Sequence, residues 1–138
     1  VTANVTAPLM LADAFIAMSG GAADRRLCHI SSGAAQKPYP GWSVYGTTKA
    51  ALDHHARCVA AEAVPGLRVS AVAPGVVDTD MQTLIRATPE DRFPNRQRFV
   101  EMKETGALDT PDSAAAALMA HLLSDSFGAA PVVDLRSL

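Results

Sequence analysis

The 138-residue sequence predicts an α/β fold, a parallel sheet with helical layers on both faces. Three observations lead there. Short apolar runs at residues 26–32, 67–74 and 129–138 read as buried strands. Helical repeats lie between them, and Pro and Gly mark the junctions. Strands that alternate with helices pair in parallel through right-handed crossovers.

Each element has its own signal. Val5, Leu9, Ala12 and Ile16 recur at helical spacing over residues 1–18, and Pro8 is expected to kink this helix or confine its regular part to the C-terminal side. Gly20 and Gly21 stop it. RLCHISS, residues 26–32, is a strand expected to end at Ser31 or Ser32. A loop rich in Pro and Gly follows. Ser43 is the expected N-cap of a long helix from Val44 to about Ala63, which Pro65-Gly66 ends. LRVSAVAP, residues 67–74, is the second strand. The charged stretch from Asp80 to about Gly106 reads as short helices and loops, and its RFPNRQR cluster at residues 92–98 as a solvated surface loop rather than an anion site. Thr110 caps a helix that opens on Pro111 and runs to about Leu123, and AAPVVDLRSL supplies the third strand.

Composition narrows the function classes. With 49% apolar and 19% charged residues the chain is globular, and one domain is expected for its length. A net charge of −2 gives no basic footprint for nucleic acid. No apolar run reaches the length of a membrane span, and the opening VTANVTAPLMLADAF has no basic n-region, so a cytoplasmic protein without a signal peptide is expected. Cys28 and Cys58 sit in apolar segments and read as reduced, buried thiols. His54, His55 and His121 have no ligand partner at metal spacing, and Asp78 and Asp80 read as turn-forming carboxylates.

In a parallel α/β sheet, chemistry gathers at the carboxyl ends of the strands. Ser32 ends the first strand, 13 residues before Tyr45, and Lys49 follows Tyr45 by about one helical turn. Pro74, Gly75 and Thr79 follow the second strand. A free phenol titrates near pH 10 and exchanges protons poorly at neutrality, where forming the phenolate costs about 4 kcal/mol. An ammonium some 4–5 Å away in an effective dielectric near 20 returns about 3–4 kcal/mol. A lysine one turn from a tyrosine therefore makes a proton donor of it.

This set resembles the short-chain dehydrogenase/reductase family: a serine at a strand end, Tyr-x-x-x-Lys after 13 residues, then PGVVDT after a strand. Asn4 matches the asparagine that the family carries in the preceding helix. The resemblance implies a partial Rossmann-like, doubly wound sheet without its N-terminal strands, and an oxidoreductase using NADP, with NAD possible. It implies that Tyr45 is the general acid/base and that Ser32 hydrogen-bonds the substrate carbonyl. Lys49 would hold the nicotinamide ribose and support Tyr45, and Asn4 would hold a water that feeds protons toward Lys49. Pro74, Gly75, Val77 and Thr79 would contact the nicotinamide.

YPGWSVYGTTKAALD, APGVVDTDMQ, RFVEMKETGALDTP and FGAAPVVDLRSL further resemble the branch of sepiapterin reductase and bacterial diketone reductases. In that branch a C-terminal aspartate anchors the substrate ring, a place Asp134 matches; its plain reading is a strand-end carboxylate. Trp42 either lines the substrate pocket or packs the loop. Gly46 stands where relatives often carry cysteine, a difference expected to leave the reacting groups alone. The substrate is then a small carbonyl compound, a ketone or vicinal diketone. By the same resemblance, helices 1–18 and 44–63 pair across a homodimer or higher assembly. No glycine-rich turn follows a strand here, so residues 1–138 are expected to be the C-terminal, catalytic half of the domain. The alternative expectation is a non-catalytic fragment or an oligomerisation module.

Overall fold

The computed structural model describes residues 1–138. Three parallel strands form one sheet in the order β1 (Arg25–Ile30), β2 (Leu67–Ala73), β3 (Val132–Asp134). Arg25 pairs with Leu67 and Ile30 with Val72, while Ala71 pairs with Val132 and Ala73 with Asp134. Residues Val69 to Ala73 of the central strand are all buried. That explains its near-continuous apolar run.

Helices α1 (Ala7–Met18) and α2 (Ser43–Ala61) flank one face of the sheet. Ala56 and Val59 of α2 pack on Val69 and Ala71, joined by Ile16, Leu27 and Val132. Ala56 has no exposed surface, and its small side chain lets helix and sheet approach closely. Arg26, on the opposite face of β1 from Leu27, donates to the carbonyls of Leu122 and Ser124 at 2.6 and 3.0 Å. Those carbonyls close α5 (Pro111–Leu123), so helices lie on both faces, as the alternation predicts. Between β2 and α5 come α3 (Asp80–Ala87) and α4 (Arg96–Glu104), wrapped around Ile85, Phe93 and Phe99.

Several boundaries differ for local reasons. Residues Thr2–Thr6 form a widened π turn, and the regular helix begins at Ala7 with Pro8 in its first turn. Proline has no N–H to give the preceding turn, so the regular part is confined to the C-terminal side. Ser43 is not the cap of α2. Trp42 holds that position without a side-chain cap bond, because an indole has no acceptor to offer the first-turn amides; its carbonyl accepts from Gly46 at 2.7 Å. The helix stops at Ala61, since Ala63 turns left-handed (φ 50°) ahead of Val64-Pro65. Thr110 does cap α5, its hydroxyl accepting from the Ser113 amide at 3.2 Å. Cys58 is exposed rather than buried, and burial pushes the half-buried Cys28 thiol up to about 11. No helix is long and apolar enough to cross a membrane.

Candidate active site

β1 and β2 end side by side, and a cleft of about 530 Å³ opens beyond their carboxyl ends. The backbone of β1 continues one residue past the strand, with the Ser31 amide donating to the Val72 carbonyl at 2.8 Å. Side chains alternate from there. Ser31 turns inward and donates to Asp53 of α2, while Ser32 lines the cleft. The Ser32 hydroxyl accepts from the Ala34 amide at 3.2 Å, which closes the turn Gly33–Ala35. A hydroxyl has one donor and two acceptor sites, so its proton stays available for a ligand.

Tyr45 is the third residue of α2 and lines the same cleft. Lys49, half-buried one turn later, donates to the Ile30 carbonyl at 2.8 Å and lies 5.9 Å from the centre of the Tyr45 ring. Burial pulls the Lys49 ammonium below the usual lysine range, and the Asp53 charge opposes that pull. Two of its three N–H bonds remain for other partners. Tyr45 also sits in the first turn of α2, where unsatisfied amides favour negative charge.

Pro74, Gly75, Val77 and Thr79 form the wall beyond β2. Gly75 has φ +93°, a conformation that side-chain-bearing residues rarely adopt, and it presents bare backbone to the cleft. This wall with Lys49 fits the flat carboxamide end of a nicotinamide and its ribose. Nothing in the chain has the glycine-rich strand-to-helix turn that would seat a pyrophosphate.

Asn4 does not line the cleft. Its amide donates to Thr48 Oγ1 at 3.4 Å, and Thr48 in turn donates to the Tyr45 carbonyl at 2.8 Å, so Asn4 is tied to α2 beside Lys49. Trp42 borders the cleft and is packed as well. It lines the cleft, stacks on Phe93 at 4.8 Å and meets Tyr45 edge-on at 5.4 Å. Asp134 also lines the cleft, but Arg136 engages both its oxygens, through Nε at 2.9 Å and Nη2 at 2.5 Å. Those bonds hold the Asp134 carboxyl below its usual range, and it also caps the short turn Leu135–Ser137.

Other findings depart from the sequence expectations. The RFPNRQR cluster is not simply a solvated loop. Phe93 is buried, Arg96 donates to the Arg86 carbonyl at 2.6 Å, and Arg98 lines the cleft. Gly46 is closely packed, since a Cβ there would lie 2.8 Å from the Ala34 carbonyl oxygen. Asp53 and His29 carried no motif and went unassigned, yet both are buried polar residues behind the site. His29 Nε2 lies 3.0 Å from His55 Nδ1, and His121 is packed against Phe127 as expected. Asp78 is taken up by Lys103 and Arg86.

Comparison with known proteins gives the family. The short chain dehydrogenase family model matches residues 1–90. A benzil reductase ((S)-benzoin forming) from Bacillus cereus is 39% identical over 96% of this chain and 55% of its own length. Sepiapterin reductase from Mus musculus is 39% identical over 80% of this chain and 41% of its own length. Among solved structures, a short-chain dehydrogenase/reductase from Burkholderia vietnamiensis is 43% identical over 98% of this chain and 48% of its own, with a TM-score of 0.51. The chain thus spans about half the length of the relatives it matches.

Proposed function

Because the chain belongs to the short-chain dehydrogenase family, we propose that it carries the catalytic half of a nicotinamide-dependent carbonyl reductase acting on a ketone or vicinal diketone. The observation that supports this most is that the Ser32 and Tyr45 hydroxyls and the Lys49 ammonium share one cleft at the carboxyl ends of parallel strands. Bound beside them, a reduced nicotinamide supplies the hydride.

This chain's own residues do the rest. Ser32 donates its free hydroxyl proton to the substrate carbonyl oxygen and fixes its position. Tyr45 passes its phenolic proton to the same oxygen as negative charge develops there. The phenolate left behind is stabilised by Lys49 and by the first-turn amides of α2. The lysine, 5.9 Å from the centre of the Tyr45 ring, favours that negative charge. Lys49 uses its remaining N–H bonds on the ribose, and Asn4, held to Thr48, binds the water that exchanges protons with Lys49. Pro74, Gly75, Val77 and Thr79 seat the carboxamide end. NADP is the proposed cofactor and NAD the alternative.

The names of the benzil and sepiapterin reductases support a flat, conjugated substrate. So does the wall formed by Tyr39, Trp42, Tyr45 and Phe99. The exposed apolar side chains Met10, Leu11 and Met18 on α1 and Val44 on α2 support pairing of these helices between two copies.

The test uses the complete protein that carries this chain. Tyr45→Phe is expected to lower kcat by at least a hundredfold while NADPH still binds, read from nicotinamide fluorescence. A variant that keeps more than about a tenth of the wild-type kcat refutes the assignment.

A further inference from the structure

The cleft is lined by four cationic side chains, Lys37, Lys49, Arg98 and Arg136, and by one carboxylate, Asp134. The chain as a whole is slightly acidic, at −2, so this concentration of positive charge is local. Two of the four are accounted for. Lys49 faces buried Asp53, and Arg136 forms a bidentate pair with Asp134. Asp109 adds to the negative charge felt by Arg136.

Arg98 and Lys37 have no carboxylate within ion-pair distance. Arg98 is nevertheless held in place. Its Nη1 donates to the Tyr39 hydroxyl at 3.3 Å, and its guanidinium lies 6.0 Å from the centre of the Tyr39 ring. Tyr39 leans on Trp42 at 5.3 Å, and Trp42 meets Tyr45 at 5.4 Å. The proton donor, two aromatic faces and a guanidinium therefore follow one another along a single wall. Lys37 stands two residues before Tyr39 on the same loop, and its charge reaches Asp134 across the cleft.

We propose that the natural substrate carries an anionic group, a carboxylate for preference, on an aromatic body, and that Arg98 and Lys37 receive it while the carbonyl lies against Ser32 and Tyr45. This rests on the reductase reading of the cleft and adds the substrate class to it. A planar guanidinium suits a carboxylate through paired N–H bonds, and the lysine adds a point charge. Both groups are exposed, so the preference they give is moderate and is screened by salt.

The test compares two para-substituted benzils in the complete protein, one bearing a carboxylate and the other its methyl ester. The ester withdraws electrons more strongly, so intrinsic reactivity works against the expected preference. We expect kcat/KM for the carboxylate to exceed that for the ester about tenfold at low ionic strength, and the ratio to shrink between about 20 and 300 mM KCl. Arg98→Gln and Lys37→Gln should each cut the ratio about threefold, and the double variant should bring it near one. Arg57→Gln, an exposed cation of α2 outside the cleft, should preserve it. A wild-type ratio of one or less overturns the proposal, as does a ratio that survives the double variant. So does a double variant that weakens NADPH binding as much as it lowers the ratio, since the cations would then belong to the cofactor. If neither benzil is reduced, it is the reductase reading that fails. Dissociation constants of the two compounds by titration calorimetry then decide the anion site, with the same tenfold preference required.

Discussion

Replacing Gly46 by alanine should separate stability from catalysis. Gly46 is the fourth residue of α2 and directly follows Tyr45. A Cβ added to it meets the Ala34 carbonyl oxygen at 2.8 Å, whereas ordinary contact begins near 3.4 Å. The turn Gly33–Ala35 must therefore retreat from α2 by about 0.6 Å, and backbone cannot swing aside as a side-chain tip can. Ser32 is tied to that turn through the Ala34 amide, so its hydroxyl moves with it, away from Tyr45. Overpacking of this size costs about 1–3 kcal/mol. Against this, alanine gains about 1 kcal/mol over glycine inside a helix. The net loss is about 0–2 kcal/mol, or a Tm lower by several degrees at most. Catalysis has no such offset. A misplacement of 1 Å can cost about a hundredfold, so half of that should cost about tenfold in kcat/KM. Steady-state kinetics and a thermal melt on the same preparation make the comparison. A higher Tm with unchanged kcat/KM would refute the reasoning, since the turn would then not be seated on the helix.

Two further outcomes follow from the buried polar groups. Burial, aided by neighbouring His55, pushes His29 down to about 4, against about 6.5 for a free histidine. The unfolded chain then binds the extra proton first as pH falls, so stability is full above about 6.5 and lost toward 4. Urea unfolding at pH 5 should show about 2 kcal/mol less stability than at pH 7, and His29→Gln should flatten the dependence; an equal slope in both proteins would exclude His29 as its source. Asp53→Asn removes the carboxylate whose charge opposes the burial of Lys49. Lys49 then loses its proton at lower pH, so the alkaline decline of kcat/KM should move toward neutrality, and an unmoved decline would mean that Asp53 does not control the charge of Lys49.

Apolar runs and their Pro and Gly boundaries gave the order of elements and the parallel sheet, because a buried central strand leaves a near-continuous apolar stretch and breakers mark the helix ends. The cleft wall made by Ser32, Tyr45, Lys49 and the segment after β2 was legible for a different reason: strand ends and a single helical turn fix its spacing. The opposite wall was not legible. Arg98 meets Tyr39 across 59 positions of sequence, and only the packing of Phe93 and Phe99 on Trp42 brings α4 there. Asp53 was equally hidden. A lone aspartate in a helix carries no pattern, and its meaning comes from Ser31, 22 positions earlier. Ser43 misled because capping preference is a local rule, and the packing of Trp42 on Phe93, which accompanies a start one residue earlier, lies outside it.

The three residues at the end of β1 explain why the site should tolerate change in the loop between them and α2. The Ile30 carbonyl holds the Lys49 ammonium, the Ser31 hydroxyl holds Asp53, and the Ser32 hydroxyl faces the cleft. Lys49 and Asp53 stand four positions apart, on one face of α2, so the last residue of β1 and the one after it grip two consecutive turns. Strand and helix are thereby locked in register, and the relation of Ser32 to Tyr45 is inherited from that lock rather than from residues 36–41. The loop instead carries Lys37 and Tyr39, which face the far end of the cleft. In the proposed reductase, reaction chemistry and substrate choice therefore rest on separate supports. Substitutions in the loop should change which carbonyl compound is accepted, whereas Ser31→Ala, which cuts one of the two grips, should lower kcat for every substrate alike.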